Sequence, residues 1–191
     1  MTRSVTNHKC RLANSQLAVI DIQQRLGDAM PNKVLNRVLQ NAVLLVRAAD
    51  AMNIPVLHTE QYPEGLGATH PVINAVLPKG ITTLRKTCFS GMGAPEFANA
   101  VAAHDVRRQI VLVGMEAHIC VLQTALDLVA LDYEVFVVED AICSRRLENY
   151  QNALDRLRDL RVGVVSAESV VFEWLGDSRH PQFKAMQALL R

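Results

Sequence analysis

The chain has 191 residues, 50% of them apolar, and its 20 Lys and Arg against 19 Asp and Glu give a formal net charge of +1. This length predicts one domain, with a core large enough to need neither disulfides nor a metal for stability. The balanced charge argues against nucleic acid or a membrane surface as a partner, because both are bound through clustered positive charge.

The first 14 residues are polar, and we expect residues 1–14 to form a loosely ordered segment. They lack the apolar core of a secretory signal, and no apolar run reaches the roughly 18–20 residues that span a bilayer. Four cysteines are widely separated in sequence (Cys10, Cys88, Cys120, Cys143). Without a secretory signal, they are expected to be reduced thiols in a cytoplasmic protein.

The first predicted strand is QLAVID (16–21), a short apolar run that ends in an acid. A helix is predicted from Pro31 to about Met52, because apolar residues there recur at spacings of three and four. IPVLHT (54–59) is the second strand, QYPEGLGATHP is a loop with two Pro and two Gly, and ITTLRK (81–86) is a third strand.

The rest of the chain continues to alternate between helix and strand. The predicted elements are a weak helix over 95–104, a strand over 108–114, a helix over 118–131, a strand over 133–140, an amphipathic helix around Leu147 to Leu157, a strand over 162–166 and one or two C-terminal helices. Near-continuously apolar strands that alternate with helices indicate a parallel sheet covered on both faces. We therefore predict a single doubly wound α/β domain, whose site lies at the carboxyl edge of its strands.

Several nucleotide and hydrolase motifs are absent. The first strand is followed by DIQQRLGD and not by GxGxxG, and the chain contains neither a GxxxxGK[ST] nor a GxSxG motif. A dinucleotide site, a nucleoside-triphosphate site and a serine-elbow hydrolase are therefore not expected, and no cofactor is predicted.

Three reactive side chains stand at or just after predicted strand ends. Asp21 ends the first strand, Lys86 ends the third, and Cys120 follows the fourth in GMEAHICVLQTALD (114–127). A cysteine at a helix N-terminus near a lysine is expected to have a lowered pKa, and a nearby carboxylate can accept its proton. Taken singly, Cys120 could instead be a small buried hydrophobe, Asp21 a strand-end cap and Lys86 a solvated charge.

These motifs together resemble the isochorismatase-like cysteine hydrolases, and most of all the isochorismatase-domain-containing subgroup. The resemblance rests on DIQ (21–23), KTCFS (86–90), TEQYPEGLG (59–67), GMEAHICVLQTALDL (114–128) and HPQFK (180–184), and it covers nearly the whole chain. It implies a six-stranded parallel sheet of order 3-2-1-4-5-6. The implied activity is hydrolysis of a small amide or related C–N bond through a cysteine thioester.

The resemblance also implies roles for single residues. Cys120 would be the nucleophile, Asp21 the general base and Lys86 the group that holds both in place. A cis peptide between Met115 and Glu116 would direct the N–H groups of Glu116 and Cys120 at the oxyanion. The substrate pocket would be lined by four further residues (Gln23, Leu26, Tyr62, Phe89).

The chain departs from the family in two places. Nicotinamidases carry a metal motif after the second strand, whereas this chain has Glu60 at the aspartate position and Tyr62 at a histidine position. With only His58 or His70 nearby at irregular spacing, we predict no metal. The usual Ala-Thr of the nucleophile loop is replaced by Glu116-Ala117, and the roles of Glu116 and of His118 stay open.

These departures leave a second hypothesis, in which the chain keeps the fold but acts as a binding or interaction module. The pKa of the Cys120 thiol separates the two, because a lowered value favours the enzyme and an ordinary value favours the binding module. The family is usually oligomeric, which implies a homodimer or homotetramer. The substrate, and whether it is an amide or a carbamoyl compound, stay undetermined at this point.

Overall fold

The computed structural model describes residues 9–160 and 162–190, which form one α/β domain around a six-stranded parallel sheet of order β3-β2-β1-β4-β5-β6. The predicted strand order is therefore confirmed. The strands are β1 Ser15–Ile20, β2 Val56–Gln61, β3 Thr83–Lys86, β4 Gln109–Met115, β5 Glu134–Cys143 and β6 Gly163–Val165.

Helices cover the two faces of this sheet. They are α1 Gln24–Asp28, α2 Asn32–Ala51, α3 Pro63–Leu66, α4 Pro71–Asn74, α5 Pro95–Ala102, α6 Leu122–Ala130, α7 Leu147–Asp159, α8 Ala167–Leu175 and α9 Phe183–Leu189. One apolar cluster packs α2 and α8 on the sheet, and a second packs α5, α6 and α7 on the opposite face. No helix within the described residues is long and apolar enough to cross a membrane.

The two central strands are buried along their whole length, as the apolar runs predict. β1 and β4 lie side by side, and the chain leaves them in opposite directions across the sheet. This reversal opens a crevice at the carboxyl ends of the strands. The two backbones approach closely there: a Cβ at Gly114, whose φ is 135°, would lie 1.9 Å from the carbonyl oxygen of Ile20.

Three local features differ from the predictions. β2 begins at Val56 instead of residue 54, since the Ile54 N–H bonds to the Ala49 carbonyl at the end of α2 and Pro55 has no N–H to give. The predicted loop after β2 contains two short helices, α3 and α4, and each begins with a proline, which suits the first helical position. The predicted helix 118–131 starts with one π-helical turn, Ala117–Val121.

The N-terminal segment requires a correction. Loose order does not describe residues 9–14, because the Cys10 N–H bonds to the Glu173 carboxylate at 2.7 Å and the Arg11 N–H bonds to Gln109 Oε1 at 2.7 Å. Cys10 is fully buried by these contacts. The part of the prediction that concerns residues 1–8 lies outside the described residues.

Candidate active site

Asp21 follows β1 at the centre of the crevice, in a fully buried position. Its φ is 50°, a left-handed conformation that costs a non-glycine residue about 1–2 kcal/mol and is found most often at functional sites. Both carboxylate oxygens are bonded: Oδ1 accepts from the Thr59 hydroxyl at 2.7 Å, and Oδ2 lies 2.6 Å from Lys86 Nζ. The acid is thus held in one orientation.

Lys86 ends β3, and its side chain is 1% exposed. Its ammonium lies within hydrogen-bond distance of four acceptors: Asp21 Oδ2 at 2.6 Å, Gln61 Oε1 at 2.8 Å, and the carbonyls of Phe89 and Cys88 at 3.0 and 3.3 Å. An ammonium has three protons, so these acceptors use its whole donor capacity. Lys86 therefore acts on its protein neighbours.

Cys120 lies in the π-helical turn that leads into α6, and it is 5% exposed. The Thr124 hydroxyl donates to the Cys120 carbonyl at 2.6 Å and accepts from the Gly91 N–H at 2.8 Å. Thr124 therefore fixes the π-helical turn that carries Cys120 against the segment that follows Lys86.

The pKa of the Cys120 thiol is raised to about 12, first by burial and then by the negative charge of Asp21, while Lys86 acts in the opposite direction. The prediction of a lowered pKa is wrong, because the helix terminus and the lysine do not offset desolvation and an adjacent carboxylate. The Asp21 and Lys86 side chains lie close enough to Cys120 to change the pKa of its thiol, so the structure brings all three predicted residues together. The arrangement places a protonated thiol beside a carboxylate that can accept its proton.

Two residues of β2 support this site and were not predicted. Thr59 and Gln61 alternate along the strand: Thr59 bonds to Asp21, and Gln61 bonds to Lys86 while donating to the Thr87 carbonyl at 2.7 Å. The signal in the sequence was the polar TEQ at the end of an apolar strand. Because successive side chains of a strand point to opposite faces, the first and third residues of this tripeptide lie on the same side of the sheet.

The residues at the family's metal position serve another purpose. Glu60 Oε1 accepts from the N–H and the hydroxyl of Thr69 at 2.7 and 2.6 Å. Both ring nitrogens of His58 lie within hydrogen-bond distance of threonine hydroxyls, Thr69 at 3.0 Å and Thr83 at 3.3 Å, and burial lowers the pKa of this histidine. Within residues 9–160 and 162–190, no group of three or more His, Cys, Asp or Glu could hold a metal ion. These side chains do not fit a metal and instead hold the loop after β2.

The four predicted pocket residues have different surroundings. Gln23 is fully buried, and its amide accepts from the Gln61 N–H and donates to the carbonyls of Gln61 and Gly67. Leu26 packs, half-buried, against the core cluster under α2. Tyr62 and Phe89 are 53% and 55% exposed. The Tyr62 N–H bonds to the Lys86 carbonyl, and the Phe89 carbonyl accepts from Lys86 Nζ.

A cleft of about 350 Å³ opens beside Lys86. It is lined by Pro63, Glu64 and residues 85–88 and 93–96. Of the predicted site residues, only Lys86 is among these lining residues; Tyr62 and Phe89 are chain neighbours of lining residues.

Glu116 comes directly before the π-helical turn Ala117–Val121, and the Met115–Glu116 peptide bond is cis. The carboxylate of Glu116 is buried and pairs with Arg145 at 3.1 Å. His118 Nδ1 lies 2.9 Å from the Ser144 hydroxyl, and His118 Nε2 lies 3.3 Å from Asn149 Nδ2. Both side chains therefore make contacts with the segment after β5.

Comparison with known proteins gives consistent results. The family model described as the isochorismatase domain matches residues 15–169. Isochorismatase domain-containing protein 2 of Bos taurus is 34% identical over 178 residues, which make up 93% of this chain and 83% of that protein.

Solved structures show the same fold. A Caenorhabditis elegans protein named MAR1 ribonuclease superposes with a TM-score of 0.89 at 32% identity, covering 95% of this chain and 92% of its own. The YcaC gene product of Escherichia coli, described as an octameric hydrolase of unknown specificity, superposes with a TM-score of 0.85 at 23% identity, covering all of this chain and 91% of its own. At 23% identity, the similarity to the YcaC gene product shows a shared fold and nothing more.

Proposed function

The chain belongs to the isochorismatase family of hydrolases, and from this premise we propose that it is a cysteine hydrolase that cleaves a small amide or related C–N bond. The observation that carries the proposal is the buried pair of Asp21 and Lys86, in which Oδ2 and Nζ lie 2.6 Å apart. Both side chains change the pKa of the Cys120 thiol. A thiol beside a fixed carboxylate is the combination that nucleophilic catalysis at a carbonyl carbon requires.

The proposed reaction begins when Asp21 takes the thiol proton and the sulfur of Cys120 attacks the carbonyl carbon. The N–H groups of Glu116 and Cys120 would stabilise the oxyanion, a contribution of about 10²–10³ in rate for one donor. The C–N bond then breaks, and Asp21 returns the proton to the leaving nitrogen. A water molecule, deprotonated by Asp21, then attacks the thioester carbon; the S–C bond breaks, the acid leaves, and Asp21 returns the proton to the sulfur of Cys120, so that amide and water give acid and amine.

The remaining predicted residues have supporting roles in this proposal. Lys86 holds the Asp21 carboxylate in one orientation. Tyr62 and Phe89, exposed near the cleft, are the proposed substrate contacts, and Leu26, which packs against the core cluster, is a further proposed contact. Gln23 contributes by holding the loop that carries Tyr62, since its amide is bonded to that loop.

By the criterion of the sequence analysis, a thiol pKa that is not lowered favours the second hypothesis, a binding module without catalysis; the support for the enzyme comes instead from the contact of Asp21 with Lys86 and from their closeness to the thiol. Burial is the largest cause of the raised pKa, and the next is the carboxylate of Asp21, which is also the group that would accept the proton during attack. A protonated resting thiol is compatible with general-base catalysis, in which the proton leaves as the S–C bond forms.

The test compares Cys120→Ala with Cys10→Ala on a panel of small amides and carbamoyl compounds, following amine release. Cys10 is a buried cysteine remote from the crevice, so its loss controls for removing a packed thiol. We expect Cys120→Ala to lose turnover by at least about 10³-fold while Cys10→Ala retains it. Turnover that survives in Cys120→Ala would refute the mechanism, and a panel without turnover by wild type would favour the binding module.

We also propose that the protein assembles as a homodimer or homotetramer. A relative in fold is described as octameric, and exposed aromatic side chains lie near the cleft. Sedimentation velocity measures the assembly directly, and a monomer at micromolar concentration would contradict this part of the proposal.

A further inference from the structure

We propose that Glu116 is a positioning residue: its carboxylate ties the nucleophile loop (residues 116–121) to the β5–α7 loop (residues 144–146) and so fixes the N–H groups that receive the oxyanion. This inference rests on the proposed function. It gives a purpose to the residue that distinguishes this nucleophile loop from the family's usual Ala-Thr.

Two hydrogen bonds to one carboxylate oxygen of Glu116 connect the two loops. Glu116 Oε2 accepts from the Arg145 backbone N–H at 2.9 Å and from Arg145 Nε at 3.1 Å. The Glu116 side chain is 5% exposed and the Arg145 side chain 57% exposed, so the carboxylate is inside and its partner reaches it from the rim. A buried carboxylate is costly unless it is paired, so the Arg145 contact determines where the Glu116 side chain lies.

A second contact joins the same two loops. His118 Nδ1 lies 2.9 Å from the Ser144 hydroxyl, and Asn149 at the start of α7 approaches His118 Nε2 at 3.3 Å. The nucleophile loop is therefore attached to its neighbour at two points two residues apart.

Glu116 is not placed to exchange the thiol proton. The charges that act on the Cys120 thiol are those of Asp21 and Lys86. Glu116 Oε2 bonds to Arg145. Glu116 therefore affects the proposed reaction through the geometry of the nucleophile loop. Its own N–H and that of Cys120 are the two proposed oxyanion donors. A displacement of about 1 Å in such groups can cost about 10²-fold in rate.

Two reagents separate this role from a general disturbance of the site. p-Nitrophenyl acetate acylates a thiol through a tetrahedral oxyanion: the S–C bond forms, the ester C–O bond breaks, and nitrophenolate leaves. Iodoacetamide alkylates the same sulfur by displacing iodide, and no oxyanion develops. The rate constants for acylation and alkylation of Cys120, followed by peptide mass spectrometry, therefore report on the oxyanion donors and on the nucleophile separately.

We expect Glu116→Ala to slow acylation by about 10–100-fold while alkylation stays within about twofold of wild type. In Glu116→Gln the amide oxygen can accept the same two bonds, and acylation should fall by about fivefold or less, because neutral hydrogen bonds are weaker than charge-assisted ones. Arg145→Lys, which keeps the backbone bond, provides a second variant if Glu116→Ala does not fold.

Asp177→Ala is the matched control. Asp177 Oδ1 accepts from the Arg179 N–H at 2.7 Å and from Arg179 Nε at 3.0 Å, the same pattern as at Glu116, but on the exposed turn after α8. Both rates should stay at wild-type values in this variant.

Acylation within twofold of wild type in Glu116→Ala, or alkylation that falls in parallel with acylation, would overturn the inference. Failure of the proposed function looks different: Cys120→Ala would then release nitrophenolate as fast as wild type, and the inference would fall with it. Slow acylation with unchanged alkylation, rescued by Gln, supports the positioning role.

Discussion

At the scale of single residues, each member of the proposed triad is held by a polar neighbour. Thr59 fixes Asp21, Gln61 fixes Lys86, and Thr124 fixes the backbone of Cys120. These neighbours lie on β2 and α6, so regular elements orient the reactive groups. Such support keeps groups within the tolerance that catalysis requires.

The direction of the Cys120 pKa gives a prediction at this scale. Iodoacetamide reacts with the thiolate, whose fraction rises about tenfold per pH unit below the pKa. Because the pKa is raised to about 12, we expect the alkylation rate of Cys120 to keep rising from about pH 6 to pH 9 without a plateau. A plateau below about pH 8 would contradict the raised pKa.

Charge removal at the two neighbours should move this alkylation rate in opposite directions. Asp21→Asn removes the charge that raises the thiol pKa, so Cys120 should be alkylated faster at pH 8 although turnover is lost with the base. Lys86→Met removes the charge that lowers it, so alkylation should be slower. The rates are measured on the Cys120 peptide, which separates them from Cys88. A shift of both variants in one direction would be inconsistent with the geometry.

At the scale of elements, the site depends on the close approach of β1 and β4 at the switch point. Ile20 pairs with Gly114 in the sheet. Ile20 comes one residue before Asp21, and Gly114 comes shortly before the π-helical turn that carries Cys120. A side chain at Gly114 would collide with backbone and not with a movable side chain. The glycine therefore allows both strands to deliver their reactive ends to one crevice.

We expect Gly114→Ala to lower the free energy of unfolding by at least about 4 kcal/mol, or to prevent folding. Gly80→Ala is the control, since Gly80 also has a positive φ, of 81°, but nothing lies within 4 Å of the position that an alanine Cβ would take there. That variant should lose only about 1–2 kcal/mol, the cost of a left-handed alanine. Urea unfolding measures both, and equal losses would refute the close-approach explanation.

At the scale of the whole molecule, both apolar clusters pack on one sheet and share its strands. Trp174, the single tryptophan, is 2% exposed on α8 and donates to the Ser15 hydroxyl at the start of β1 at 2.9 Å. The last long helix is thereby joined to the first strand. This closure predicts that the chain unfolds as one cooperative unit.

Urea unfolding followed by Trp174 fluorescence and by far-ultraviolet circular dichroism should therefore give the same midpoint. Fluorescence reports the packing of α8 on β1, whereas circular dichroism reports all helices and strands, so coincidence is the test of a two-state transition. The comparison is made at fixed protein concentration, because assembly shifts apparent stability. Separate midpoints would show that α8 detaches before the sheet unfolds.

The sequence by itself determined the order of the elements and the place of the reactive groups. Apolar periodicity is a local property, so β1, α2 and β4 could be located to within one or two residues. The position of Asp21, Lys86 and Cys120 at strand ends followed from the same pattern, and the family resemblance supplied the strand order and the roles proposed for them.

Only the tertiary structure decided the electrostatics and the partners of these groups. The thiol pKa depends on how much water the packed helices exclude and on how near Asp21 lies, and neither is encoded in local spacing. The contact of Glu116 with Arg145 joins residues 29 positions apart, and that of Gln23 with Gln61 joins residues 38 apart. Such hydrogen bonds form between elements that the chain brings together only when the sheet is complete.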